Sequence, residues 1–204
     1  MSRLPRTAHR ALPWRIHEIA PDFEIEDVWS YRAPGAGPDD FGVMLAAIRA
    51  AGGPGSSSRL SHALFALRWR LGKLFGWDNE RDGLGARVSS LRDRLPEDLR
   101  GTAETDPPGS PFTSLYRLPR EAAREIANGT VHAVMHLGWA EGDGGWELRM
   151  AVLVRPNGWF GRMYLAAILP FRLLIVYPAM TRQWEGAWRT RMTVGRAAGF
   201  EAAE

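Results

Sequence analysis

The chain has 204 residues, a length that fits one sizeable domain. Hydrophobic residues make up 45% and charged residues 24%, a composition that is typical of globular proteins and excludes a disordered or fibrous chain. The formal net charge of +3 is too small for a polycation that coats nucleic acid, and the absence of cysteine excludes disulfides, thiolate metal sites and a cysteine nucleophile.

The N-terminal half is predicted to consist of helices between loops rich in Gly and Pro. Residues 1–20 contain no continuous apolar core, so no secretory signal is predicted and we expect a cytoplasmic protein. Asp40 is placed to cap a helix whose apolar face carries Phe41, Met44, Leu45 and Ile48. A second helix is predicted from Ser58 or Ser61 to about Gly76, and a third over 88–99, where Pro96 should end or kink it.

The second half of the chain changes to the two-residue period of β-strands. Residues 112–118 predict a strand, and 120–128 predict a short helix that Gly129 stops. Residues 130–139 and 146–154 alternate between apolar and polar side chains, which predicts two further strands. The Glu-Gly-Asp-Gly-Gly sequence between them predicts a hairpin loop, so these two strands should pair antiparallel.

A long apolar segment follows the hairpin. Residues 159–188 are apolar nearly all round until Thr181, which predicts a buried helix that is kinked at Pro170. A helix that spans a membrane is not predicted, because Arg172, Pro170 and Pro178 interrupt the apolar run.

Two histidines, His132 and His136, have the spacing that brings two imidazoles to one face of a helix in zinc proteases. On a strand, the two residues lie roughly 13 Å apart, too far to share a metal, so no metal site is predicted. Two roles stay open. The histidines form either a solvated or hydrogen-bonded pair on the polar face of the sheet, or separate polar contacts in a ligand cavity.

Arg172 lies within an apolar sequence and therefore needs polar partners if its guanidinium is buried. One interpretation is an ion pair with an acid such as Glu125 or Glu147, or a solvated guanidinium on a buried stem. The other is a site for the carboxylate of a ligand. The same two interpretations apply to Arg68 and Arg149.

Other chemistries have little support in the sequence. No G-x-G-x-x-G motif follows a predicted strand, the serines at 56–58 lack a nucleophile elbow, and the arginines are scattered among acidic residues. We therefore predict no cofactor and no nucleic-acid partner, whereas a homodimer is compatible with the sequence.

Several short sequence motifs, which occur in order over roughly residues 11–190, resemble those of the bacterial domain-of-unknown-function 2867 family. They include Asp27-Val28-Trp29, Leu91-Arg92-Asp93-Arg94-Leu95-Pro96, Asn128-Gly129-Thr130-Val131-His132, His136-Leu137-Gly138-Trp139 and Pro170-Phe171-Arg172. The resemblance implies an α+β fold of the START-like helix-grip type, in which an antiparallel sheet curls around a long C-terminal helix and a cavity lies between them. With the extra helices of the N-terminal half, we expect one domain over 11–190 and flexible tails at 1–10 and 191–204.

The fold implied by the resemblance leads to three hypotheses on function. The first is binding of a hydrophobic small molecule or lipid-like metabolite in the cavity. The second is a cyclase- or dehydratase-like enzyme with acid–base residues in the same cavity, and the third is a structural or interaction protein whose core is filled. The residues expected to contact a ligand are Trp69, Tyr116, His132, His136, Arg149, Tyr164 and Arg172.

Overall fold

A computed structural model describes residues 2–51, 88–106, 110–127 and 131–200, apart from the side chains of Phe160 and of 192–200. The helix predicted after Ser58 or Ser61 lies outside these residues. The same is true of Arg68 and of the candidate ligand contact Trp69.

The described residues form one antiparallel sheet of six strands in the order β1-β2-β6-β5-β4-β3. The strands are β1 (Ser2–Arg3), β2 (Glu24–Arg32), β3 (Thr113–Arg117), β4 (Glu121–Ala127), β5 (Val131–Gly142) and β6 (Gly145–Pro156). With the helices described below, this sheet confirms the predicted α+β class.

The predicted hairpin is confirmed, and it is the centre of the sheet. β5 and β6 pair from Val131 opposite Pro156 to Gly142 opposite Gly145. Gly145 has a φ of +99°, a backbone conformation that glycine adopts without the steric cost of a side chain. The Gly-rich loop therefore sets the register of the two strands that the alternating pattern predicted.

The helix predicted over 120–128 is wrong. Glu121–Ala127 is strand β4, which pairs with β3 on one side and with β5 on the other. The sequence Glu-Ala-Ala-Arg-Glu has high helix propensity, but two flanking strands satisfy its backbone hydrogen bonds and override that preference.

The helices cover both faces of the sheet. Those of the described residues are α1 (Arg6–Arg10), α2 (Ile16–Ile19), α3 (Phe41–Ala50), α4 (Gly158–Phe171) and α5 (Tyr177–Phe200), and a five-residue π-helical segment (Arg172–Val176) joins α4 to α5. The helix α3 is confirmed, although the Asp40 carboxylate accepts from the Gly37 N–H (2.8 Å) instead of capping the helix. In place of the helix predicted over 88–99, the chain makes two 3-10 turns, Leu91–Arg94 and Glu97–Leu99.

Residues 2–10 are part of the fold, contrary to the flexible tail that we expected. Ser2 and Arg3 pair with β2, and the His9 side chain in α1 is fully buried. No local pattern predicts this, because the segment is short, basic and interrupted by Pro5.

Among the described residues, apolar clusters cover both faces of the sheet. On the first face, α2 and the 3-10 turns bury Ile16, Leu91, Leu99, Val134 and Leu153. On the second face, α3 and α5 pack on the sheet through Phe41, Met44, Trp139, Trp184 and Trp188. Below, these are called the first face and the helix face.

The C-terminal helix is confirmed, but its predicted burial is wrong for α4 and the π segment. Leu165 is buried against Val131 and Val154, whereas Met163 is 59% exposed and Leu174 is 75% exposed. Pro170 lacks an N–H, and the π segment begins two residues later, where the Tyr177 N–H bonds to the Arg172 carbonyl.

Candidate functional site

A network of buried ionisable side chains lies on the first face of the sheet. His132 and His136 on β5 alternate with Val134, so all three point to this face, and β4 directs Glu121 and Glu125 to the same side. Each histidine bonds to its own glutamate, and the exposed fractions of the four side chains are between 0% and 7%.

Glu121 is at the centre of the larger of the two hydrogen-bonded groups in this network. Its Oε2 accepts from His136 Nε2 (2.9 Å) and from the Tyr116 hydroxyl (3.0 Å), and both of its oxygens accept from the Arg15 backbone N–H (3.0 and 3.1 Å). Burial opposes ionisation of Glu121, but these hydrogen bonds outweigh it and lower the carboxyl pKa. The side chain is therefore a carboxylate at neutral pH.

The network continues from His136 to His9. His9 Nε2 lies 3.0 Å from His136 Nδ1, and because His136 Nε2 donates to Glu121, its Nδ1 must accept from His9. Burial, together with the charge of neighbouring histidines, lowers the pKa of His9 to about 2, and burial also lowers the pKa of His136. Both imidazoles are neutral at pH 7. His9 Nδ1 then remains as an unprotonated acceptor with no hydrogen-bond partner among the described residues.

Glu125 forms the second half of the network. Its carboxylate accepts from His132 Nε2 (2.8 Å), from the Leu91 N–H (3.0 Å) and from the Ser90 hydroxyl. Burial works against its ionisation, and these donors outweigh that effect and lower its pKa. Ser90 also caps the first 3-10 turn, so Glu125 ties that turn to the sheet.

The geometry of the network indicates a structural role. His9, His136 and Tyr116 are 0% exposed and His132 is 2% exposed, so solvent does not reach the atoms that would carry a proton. Through the network, His9 connects α1 to the sheet, Glu121 connects the residue before α2, and Glu125 connects the first 3-10 turn. Among the described residues, no group of three or more His, Asp or Glu side chains is placed to hold a metal ion.

Arg172 contacts a carboxylate, but neither of the two acids named from the sequence. Its Nη2 bonds to Asp27 on β2, and its Nη1 lies 3.9 Å from Glu26. The Tyr177 hydroxyl donates to Asp27 (2.8 Å) and accepts from Arg172 Nη2 (2.8 Å), which closes a buried triad between the sheet and the helix.

The predicted ligand contacts do not meet at one place. Tyr116, His132 and His136 lie on the first face, whereas Tyr164 and Arg172 lie on the helix face. Arg149 bonds to Glu147 (2.9 Å) and to the Glu141 carbonyl (3.2 Å). A single cavity between the sheet and the C-terminal helix therefore cannot be lined by the described members of this set.

Several residues of the network were missed from the sequence. The helix predicted over 120–128 hid the alternation that brings Glu121 and Glu125 to one face, and His9 was assigned to a tail. The alternation Glu-x-Ala-x-Glu was the available signal. Asp27 had no local signal, because a bulge between Ile25 and Asp27 shifts the register of β2.

The described surface also carries a depression and an apolar stripe outside these networks. An open depression of about 320 Å³ lies at the β1 edge of the sheet, between Arg3, Arg6 and Glu26. The other feature is an apolar stripe on α4 and the π segment, whose members recur every three or four residues and are all exposed; we call it the α4 stripe, and it consists of Trp159, Met163, Ala166, Pro170 and Leu174.

The α4 stripe lies on a helix that is strongly apolar but mostly exposed. Over Gly161–Arg191, the most apolar window has a mean hydropathy of 1.7, yet only 17% of it is buried. By length and composition alone, this helix could cross a membrane. Trp159 is 73% exposed, and Ile175, beside the stripe, is 44% exposed.

The fold and its side-chain network define an α+β protein with an antiparallel sheet, a sealed polar network on one face and a long apolar helix on the other. The family model described as a protein of unknown function (DUF2867) matches residues 19–179. The chain therefore belongs to this family, as its sequence phrases predicted. No curated protein and no solved structure matches the chain.

Proposed function

We propose that this protein acts by binding an apolar partner on the α4 stripe, without catalysis at the sheet. The observation that carries the proposal is the exposure of Trp159, Met163 and Leu174, each of which leaves more than half of its surface in water. Contiguous apolar surface of this kind is typical of sites for a protein, a membrane or an apolar ligand.

The burial of the network on the first face supports a functional site elsewhere than on the sheet. An acid–base enzyme needs titratable groups within about 3 Å of a substrate atom. Tyr116, His132 and His136 instead contact protein groups and are sealed from solvent. The cyclase- or dehydratase-like alternative gains no support from this arrangement.

The packing of the helix face favours a filled core over an internal ligand cavity. Trp139, Trp184 and Trp188 are at most 1% exposed, and the Trp139 and Trp188 indole N–H groups donate to loop carbonyls (2.9 and 3.1 Å). The START-like helix-grip arrangement is supported in outline by the long C-terminal helix on one face of an antiparallel sheet. Within that arrangement, the apolar surface available to a partner is on the outer side of the helix.

Binding of a neutral apolar dye such as Nile red tests this function. We expect Met163→Glu combined with Leu174→Glu to weaken dye binding at least about tenfold, because each apolar side chain contributes about 1.5 kcal/mol when it is fully covered. Since both side chains are already exposed, the free energy of unfolding should change by less than about 0.5 kcal/mol each.

Val43→Glu is the matched control. Val43 is 45% exposed on α3, in the same layer as the C-terminal helix but outside the stripe. Equal dye binding by the wild type, the stripe variant and the control would contradict the proposed function.

A further inference from the structure

The charged residues in the segment that contains the α4 stripe are all basic. No Asp or Glu occurs between Glu147 and Glu185, whereas five arginines do. Three of these arginines form ion pairs, with Glu147, Asp22 and Asp27. The other two, Arg162 and Arg182, are exposed and have no acidic partner within the described part of the chain.

The two unpaired arginines lie near the ends of the stripe. Arg162 is three residues from Trp159 on the first turns of α4, at the N-terminal end of the stripe. Arg182 follows Ile175 by seven residues, about two helical turns beyond the C-terminal end on a similar face. Within the described part of the chain, an apolar surface about 22 Å long, from Trp159 to Leu174, is therefore flanked by cations, and its own segment supplies no acidic side chain.

The other side of the same helix is attached to the protein. Leu165, Tyr177, Trp184 and Trp188 are buried against the sheet or α3, and Arg172 bonds to Asp27 on β2. A helix that packs along one side on a folded domain can offer only its other side to a partner. This geometry fits a helix that lies in a membrane surface and does not fit one that spans the bilayer.

The charge pattern also disfavours a second copy of this chain as the partner. Two copies that meet through the same stripe would bring Arg162 and Arg182 of both chains together without an acid in this segment. Like charges across an interface are unfavourable, whereas an anionic surface provides the missing counter-charge.

Given an apolar-binding role for the α4 stripe, on which this assignment rests, we infer that its partner is the surface of an anionic lipid bilayer. The stripe enters the boundary between headgroups and acyl chains, with Trp159 at headgroup level. Arg162 and Arg182 contact the lipid phosphates.

Co-sedimentation with lipid vesicles tests the inference. The wild-type protein should partition onto phosphatidylcholine vesicles that contain phosphatidylglycerol, and more weakly onto phosphatidylcholine alone. Arg162→Gln combined with Arg182→Gln should lower partitioning onto the anionic vesicles by about 25-fold, from about fivefold for each basic residue near the surface. It should leave binding of Nile red unchanged.

Two controls separate insertion from non-specific adsorption. Arg100→Gln removes an exposed arginine that follows the 3-10 turn on the opposite face of the sheet, and it should bind vesicles like the wild type. Brominated lipids should quench part of the tryptophan fluorescence, and Trp159→Phe should remove that part.

The outcomes distinguish this inference from the proposed function. Dye binding that depends on the stripe, without vesicle binding, would overturn the lipid assignment and leave the apolar-binding function standing. Sedimentation equilibrium that shows a dimer, dissociated by Met163→Glu with Leu174→Glu, would assign the stripe to a second copy. Absence of both dye and vesicle binding would overturn both proposals.

Discussion

Replacement of Arg172 by leucine tests the buried triad that joins the helix to the sheet. Asp27 has a side chain that is 0% exposed, and Arg172 is 12% exposed, so their ion pair is largely desolvated. Removing one partner of such a pair costs about 3 to 5 kcal/mol, because the other charge stays buried without compensation. Asp27 keeps the Tyr177 hydroxyl (2.8 Å) and Arg3 Nη2 (3.2 Å), so we expect the lower end of this range, about 3 kcal/mol.

Urea unfolding followed by tryptophan fluorescence measures this loss. For a chain of this size, about 3 kcal/mol corresponds to a decrease in Tm of roughly 6 to 12 °C. The double variant Asp27→Asn with Arg172→Leu should lose less than Arg172→Leu alone, because no unpaired charge is then buried.

An Arg172→Leu protein with the wild-type midpoint would refute the reasoning. It would mean that the guanidinium is solvated and that Asp27 is stabilised by Tyr177 and Arg3 alone. A double variant that is less stable than the single one by the full cost of Asp27→Asn would likewise show that the two charges are not coupled.

Two further perturbations test the first face of the sheet. The folded pKa values of His9 and His136 lie below the unfolded value of 6.5, so the stability that their burial as neutral imidazoles allows should be fully present above pH 6.5. Below that pH, the free energy of unfolding should fall by up to about 1.4 kcal/mol per pH unit for each histidine. Unfolding at pH 7 and pH 5.5 measures this, and equal stability at both would contradict it. Gly138→Ala should cost about 1 to 3 kcal/mol, because its Cβ would lie 2.7 Å from the Trp14 ring. Gly144→Ala is the control, since a Cβ there would have no described atom within 4 Å, and equal thermal midpoints for the two variants would disprove the clash.

The centre of the fold could be predicted from the sequence because its signals are local. The alternation along 130–139 and 146–154 and the Gly-rich loop between them are short-range patterns, and together they predict β5, β6 and their register. The same alternation placed His132 and His136 on a strand, where they contact different glutamates.

The predictions that were wrong concern residues whose structure depends on long-range contacts. Residues 121–127 become a strand only because β3 and β5 flank them, and no local signal outweighed their helix propensity. The partner of Arg172 is 145 residues away on β2, so its identity could not be read from neighbouring acids. Burial of α4 failed for a different reason. Hydropathy shows that a helix is apolar but not whether protein or another apolar phase covers it.

The π segment links the exposed stripe to the buried triad. A π turn contains one residue more than an α turn, so it sets the rotation of α4 relative to α5. At this point Arg172 bonds to Asp27, and Tyr177 begins the helix whose tryptophans fill the core. Because Leu165 within α4 and Tyr177 at the start of α5 are both buried, the rotation of α4 and the π segment is constrained, and Met163 and Leu174 are directed outward together. The exposure of the stripe is therefore a consequence of how the helix is attached to the sheet, and Arg172→Leu should weaken the Nile red binding that we propose for the stripe as well as stability.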